Sequence, residues 1–196
     1  MKRLLSVLFI LIAITYSIFA AETENEIQSP DDDFEYVYKQ NQSGDSFIRM
    51  SLAVDIPVKP DTSKMFVGGS GTLGFYRLLT SWFAIGGDFS FAYSETVGSN
   101  VYYFIPVMAR PVFQLAIGRF EIPVTLGLGM SFQNYVDRLY CGLTLNPEIG
   151  FFYRWKTEWS AGAILGTYIM PQWFENSAYN YTGIVVTAGL TVRYHF

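Results

Sequence analysis

From Gly183 to Phe196 the chain reads GIVVTAGLTVRYHF, and every second residue from Ile184 is apolar: Ile184, Val186, Ala188, Leu190, Val192, Tyr194 and Phe196. The alternate set, Gly183, Val185, Thr187, Gly189, Thr191, Arg193 and His195, is smaller and becomes polar toward the end. A period of two puts successive side chains on opposite faces of one strand, here one oily face and one mixed. One such strand proves little. A repeat of the pattern along the chain would limit the fold to a few all-β solutions.

The pattern does repeat. Seven further alternating segments precede the last: Phe47–Ile56, Met65–Tyr76, Trp82–Tyr93, Val101–Phe113, Arg119–Phe132, Leu139–Tyr153 and Glu158–Ile169. On one face lie rows such as Ile48, Met50, Leu52, Val54 and Ile56, or Phe120, Ile122, Val124, Leu126, Leu128 and Met130. Segments of about ten or more residues suit strands that cross a bilayer at a steep tilt. Sandwich strands are nearer five or six residues. Composition agrees: 51% hydrophobic and 18% aromatic against 15% charged is too oily for an ordinary soluble domain. A transmembrane barrel turns apolar residues outward. The expected fold is therefore all-β, an eight-stranded antiparallel up-and-down transmembrane barrel over residues 46–196.

An even strand number leaves both chain ends on the same side of the membrane, here taken as the periplasmic side. Short turns are then expected near Leu78–Ser81, Gln114–Gly118 and Arg154–Thr157. Longer outer loops follow at Pro57–Lys64, Ser94–Asn100, Gln133–Arg138 and Met170–Asn180. Trp82, Trp155 and Trp159 fall at periplasmic strand ends and Trp173 in an outer loop, the interfacial positions that suit an amphipathic ring. Pro106, Pro111, Pro123 and Pro147 oppose the pattern, since each removes a ladder hydrogen bond. Bulges or strand ends are the expected accommodation.

Ahead of the barrel, Lys2-Arg3, the apolar run Leu4–Phe19 and Ala20-Ala21 have the layout of a Sec-type signal peptide, residues 1–20, cut after Ala20 or Ala21. Residues 21–45 form an acidic periplasmic leader, partly disordered, with eight carboxylates against Lys39. Its Asp31-Asp32-Asp33 run lacks calcium-loop spacing. Cys141 is the only cysteine, so no intrachain disulfide forms; it reads as a small apolar residue on a strand, with an intermolecular bridge as the alternative.

The terminal LTVRYHF, the YFIPVMARPVF segment and EIPVTLGLGMSF resemble the small bacterial outer-membrane barrels of the OmpA, OmpX and OmpW type. The likeness covers nearly all of Phe47–Phe196. It implies an outer membrane of a diderm bacterium, outer-membrane lipid as surroundings, and the barrel-assembly machinery and periplasmic chaperones as partners. It also implies that Tyr194 and Phe196 serve as the assembly signal.

A barrel of eight strands has an interior that side chains just fill. Parity turns Arg49, Asp88, Arg110, Glu121, Glu148 and Arg193 inward, mostly in the periplasmic half. Three charges of each sign should pair as an ionic plug, because an unpaired charge in a narrow lumen is costly. Toward the outside, Ala53, Gly68, Ser70, Ala92, Gly129, Ser131 and Gly162 leave room for a shallow cup. The expected role is structural or surface-interacting, with a possible surface partner. The alternative is an OmpW-like conduit for small, mostly apolar solutes. Catalysis is not expected: the single His195 sits at the periplasmic rim as a solvated strand-end residue, away from any outer-rim serine. No residue pattern calls for a cofactor or metal, and no basic patch suits nucleic acid.

Overall fold

Eight strands follow one another along the chain in a computed structural model: β1 (Ser46–Lys59), β2 (Gly68–Thr80), β3 (Phe83–Glu95), β4 (Val101–Ile117), β5 (Phe120–Tyr135), β6 (Arg138–Arg154), β7 (Trp159–Gln172) and β8 (Tyr181–His195). Each pairs antiparallel with the next, and β8 returns to β1, closing the barrel. The structure describes residues 41–59, 64–136, 138–173 and 180–196, which belong to one compact unit. The signal peptide and most of the acidic leader expected from the sequence lie outside the described residues.

Alternation generates the wall. Met50, Leu52, Val54 and Ile56 of β1 are exposed while Phe47, Arg49, Ser51 and Asp55 are buried. The same pattern in the other strands wraps the outside in Val107, Phe113, Val124, Leu128, Leu143, Phe151, Leu165 and Leu190. In water such a surface would cost on the order of 25 cal/mol per Å²; it suits lipid. Cys141 belongs to this outer row and is exposed. It keeps the face that strand parity gives it, beside Leu143 and Leu145.

Closure is tight at one seam. Register runs from Phe47 opposite His195 to Lys59 opposite Ile184, and Ser46 and Phe196 exchange two backbone hydrogen bonds of 2.9 Å. The strands are 13–17 residues long, more than the roughly 9–11 needed to cross hydrocarbon. The extra length consumes expected loop. Only residues 136–137 separate β5 from β6, so the outer connection expected over Gln133–Arg138 is short. The turn between β4 and β5 shrinks to Gly118-Arg119, with Gly118 at φ 59, where a glycine escapes the steric cost of Cβ.

The four prolines make neither bulges nor strand ends, and that expectation is corrected. Pro106 stays paired with Ser131 of β5, while the β3 ladder skips from Phe89–Val107 to Ala92–Phe104. Pro111 keeps Ile85 and interrupts only the β5 side. Pro123 keeps Gln114 and interrupts the β6 side; Pro147 keeps Leu126 and interrupts the β7 side. A strand residue points its N–H toward one neighbour, so a proline gives up one bond on one side. Register is unchanged across all four. Register shifts fall elsewhere, between Pro57 and Lys59 and between Leu78 and Thr80.

Close approach explains one wall glycine. A Cβ on Gly86 would meet the carbonyl oxygen of Phe75 and come 2.5 Å from the Tyr76 ring. Since Tyr76 is wedged inside and stacked at 4.9 Å on Phe47, it has no room to yield. Gly86→Ala is expected to lower stability by about 1–3 kcal/mol, read as a lower urea midpoint. An unchanged midpoint would mean that the wall relaxes there at no cost.

Candidate functional site

The lumen is packed in layers from the end with short turns to the end with longer loops. Nearest the turns, Phe47, Tyr76, Leu78, Ala84 and Val112 form an apolar cluster. Beside it lies a polar group around Glu121, which is 0% exposed. Glu121 accepts from Arg154 Nη2 at 2.7 Å and Arg193 Nη1 at 3.4 Å. The Arg193 guanidinium lies 3.4 Å from the centroid of the Phe152 ring and 5.2 Å from that of Phe47, so cation–π attraction adds to its ion pair.

One layer further in, Arg49 clasps Glu148 with two bonds of 2.7 and 2.8 Å. Arg110 pairs with Asp88 at 2.7 Å and approaches Glu148 to 3.9 Å. It also donates to Thr125 Oγ1 at 2.9 Å and Asn146 Oδ1 at 2.8 Å. Tyr76 donates to Asp88 Oδ2 at 2.6 Å. Arg110 is only 1% exposed, and such multiply bonded, charge-assisted pairs are the form in which ions tolerate burial.

All six inward charges of the sequence reading lie inside the barrel. They form two clusters: Arg49, Glu148, Arg110 and Asp88 in one, Glu121 and Arg193 in the other. Sequence reasoning missed Arg154, assigned there to a turn. The strand runs one residue longer, and the parity of Glu148, Gly150 and Phe152 carries Arg154 inward. With Arg154 counted, these clusters hold four guanidinium groups against three carboxylates. Asp55, also missed, is buried farther toward the loops and accepts from Ser70 Oγ at 2.9 Å.

His195 is not a solvated rim residue; it is 4% exposed. It belongs to the inward row, and Arg154 and Phe47 pack on it. Arg154 Nη2 lies 2.9 Å from Nδ1, and Ser160 Oγ lies 3.0 Å from Nε2. The same Nη2 lies 3.3 Å from Nε2, and a guanidinium can only donate. Residues 41–45, the end of the acidic segment, are likewise bound in place. Asn41 is buried, receives a 2.8 Å bond from Arg154 and donates at 3.4 Å to Glu121, while Gly44 N–H bonds the Leu78 carbonyl.

Toward the loops, the expected cup is filled. Ala92, Phe104, Met108, Tyr168, Met170 and Val185 form a second apolar cluster, partly covered by Tyr102. Hydroxyl and amide groups tie it together: Ser90 with Tyr168 at 3.2 Å, Tyr102 and Gln172 to Gln133 at 3.1 and 2.7 Å. The expectation rested on the small residues of each strand. Large side chains at neighbouring inward positions, Phe104 and Tyr168 above all, occupy the space those residues leave.

A family model matches residues 25–194 of the chain. Two uncharacterized proteins of Treponema pallidum (strain Nichols) are related in sequence. One is 33% identical over 68% of this chain and 61% of its own length, the other 29% identical over 64% and 48%. The chain thus spans about half to three-fifths of these relatives. Among solved structures, Neisserial surface protein A aligns over 78% of this chain and 99% of its own, with TM-score 0.60 and 10% identity. OprG of Pseudomonas aeruginosa covers 80% and 98% with TM-score 0.55 and 11% identity. Ail of Yersinia pestis, solved with the heparin analogue sucrose octasulfate, covers 79% and 100% with TM-score 0.51 and 14% identity. At these identities the likeness is one of fold: the small eight-stranded outer-membrane barrel.

Proposed function

Because the chain belongs to the family whose model spans residues 25–194, and that stretch includes a barrel of the outer-membrane type, we propose that it is an integral outer-membrane protein with a sealed lumen and a structural or surface-interaction role. Its short turns face the periplasm and its longer connections face outward. The observation that carries this reading is the occupied interior: among the described residues, two ionic clusters and two apolar clusters pack inside the barrel. What such a barrel offers to other molecules is its outward rim, where Tyr135, Val136, Trp173 and Tyr181 are exposed. Catalysis is no part of the proposed role, since Ser160, the hydroxyl beside His195, is 0% exposed. Refolded in detergent, the protein should migrate differently unheated and boiled, and in envelopes it should resist carbonate extraction. Release by carbonate alone would refute the membrane assignment.

Assembly through the barrel machinery and its periplasmic chaperones is part of the same proposal. Phe196 closes the β1–β8 seam by its backbone and packs its ring near Tyr194 and Phe75, at 6.0 and 6.3 Å. Deleting Phe196 is therefore expected to reduce inserted protein severalfold, whereas deleting Glu22–Glu26 leaves it near wild type. Heat-modifiable protein in the membrane fraction measures both. Equal yields would count against a role for the Tyr194–Phe196 end.

A further inference from the structure

Residues 41–45 cover the mouth of the barrel without being part of its closed wall. The β1–β8 pairing starts at Phe47 opposite His195, and Ser46 and Phe196 bond each other just beyond it. Gln42, Ser43 and Gly44 are exposed; Asn41 reaches inside and is 3% exposed. A tight turn brings it there. Gln42 N–H donates to Asp45 Oδ2 at 2.9 Å, and Asp45 N–H to the Gln42 carbonyl at 3.2 Å. Gly44 and Asn41 take φ of 103 and 59, which glycine adopts freely and asparagine more readily than most side chains. Two sets of bonds hold the segment. At the rim, Gly44 N–H donates to the Leu78 carbonyl, Leu78 N–H to the Asp45 carbonyl and Ser43 Oγ to the Leu79 carbonyl, each at 2.8 Å. Inside, Asn41 accepts from Arg154 Nη2 at 2.8 Å and donates to Glu121 Oε1 at 3.4 Å. The sequence Asn-Gln-Ser-Gly-Asp has no apolar side chain to bury, so polar contacts carry the attachment, and each is worth little net against water.

We propose that residues 41–45 are a latch, a closure of the short-turn mouth that opens while the barrel stays folded, with the Asn41 side chain as its bolt. This goes beyond a sealed lumen by giving the seal a movable end. Behind the bolt stand Arg154, His195 and Ser160, linked in series at 2.9 and 3.0 Å, with Arg193 on the second oxygen of Glu121. Lifting the latch takes one partner from Arg154 and lets water reach it and Glu121. The inner cluster bonds within itself, Arg49 to Glu148 and Arg110 to Asp88, and does not depend on the latch. Opening therefore uncovers a chamber at the mouth and leaves the lumen blocked above it. Openings that give up few contacts cost less than global unfolding.

Amide hydrogen exchange of the full chain refolded in detergent, read by NMR, separates latch from wall. The Gly44 and Leu78 amides report the latch, since each bonds a carbonyl across it; the Ser46 and Phe196 amides report the β1–β8 seam. In wild type the first pair is expected to exchange faster than the second. Asn41→Gly keeps the positive φ accessible and removes the side chain. It should speed exchange at Gly44 and Leu78 by about tenfold to a hundredfold, the equivalent of one hydrogen bond to a charged group, with Ser46 and Phe196 unchanged. The same variant should raise modification of Arg154 by a water-soluble dicarbonyl reagent, located by peptide mass mapping. Gly86→Ala, which weakens the wall elsewhere, should do neither. Faster exchange at all four amides alike overturns the latch by showing one cooperative unit. Unchanged exchange at Gly44 and Leu78, unchanged reactivity of Arg154, or an equal effect of Gly86→Ala overturns it too. The unheated gel shift is scored on the same samples. Its absence refutes the membrane barrel itself, while a normal shift with any of those results refutes the latch alone.

Discussion

Glu121→Gln is expected to destabilise the barrel by about 3–5 kcal/mol, the range for removing one partner from a buried charged group. Glu121 receives Arg154, Arg193 and Asn41 at full burial. An amide of the same shape would leave two guanidinium groups facing each other across a neutral acceptor. Part of the loss should be recovered by adding Arg154→Met, because the double change removes the excess charge as well as its counter-ion. Urea titrations of protein folded into lipid vesicles, arranged as a double-mutant cycle, give both numbers. Equal midpoints for wild type and Glu121→Gln would show that water already screens the cluster.

Arg110→Ala should have a comparable cost for a different reason. It strands Asp88, which keeps the Tyr76 hydroxyl, and it opens a void between Thr125 and Asn146. The lost pair again corresponds to about 3–5 kcal/mol. Water entering the void can hydrate Asp88 and offset some of that loss, so this variant is expected to be both less stable and leaky to small ions. Urea midpoints combined with planar-bilayer currents check it. If neither changes, Arg110 is not the structural keystone of the inner cluster.

Both variants concern residues whose inward position follows from period two alone. The same parity placed the lipid-facing rows, because every residue on a strand is committed to one face once its neighbours are. Strand ends were less legible. Arg154 sits where alternation meets the turn residues Trp155–Glu158, and a shift of one residue separates an exposed turn from a buried ion pair. Asn41 was beyond reach for another reason. Nothing local in an acidic, polar segment shows that it will fold back onto Glu121 and Arg154, which are distant in sequence. The prolines misled because a pattern reveals the missing donor but not toward which neighbour it would have pointed. The cup failed as an expectation because small inward residues were counted strand by strand, whereas volume is shared around the barrel. Phe104 from β4 and Tyr168 from β7 meet across it, ring centroids 5.3 Å apart.

The sealed lumen is the central claim, and single-channel recording tests it most directly. Wild-type protein, shown to be folded by its unheated gel shift, is inserted into a planar bilayer at a defined potential. The expected result is a quiet baseline, with current appearing only in variants such as Arg110→Ala. Reproducible unitary steps from the wild type would contradict the account and favour a conduit through the barrel.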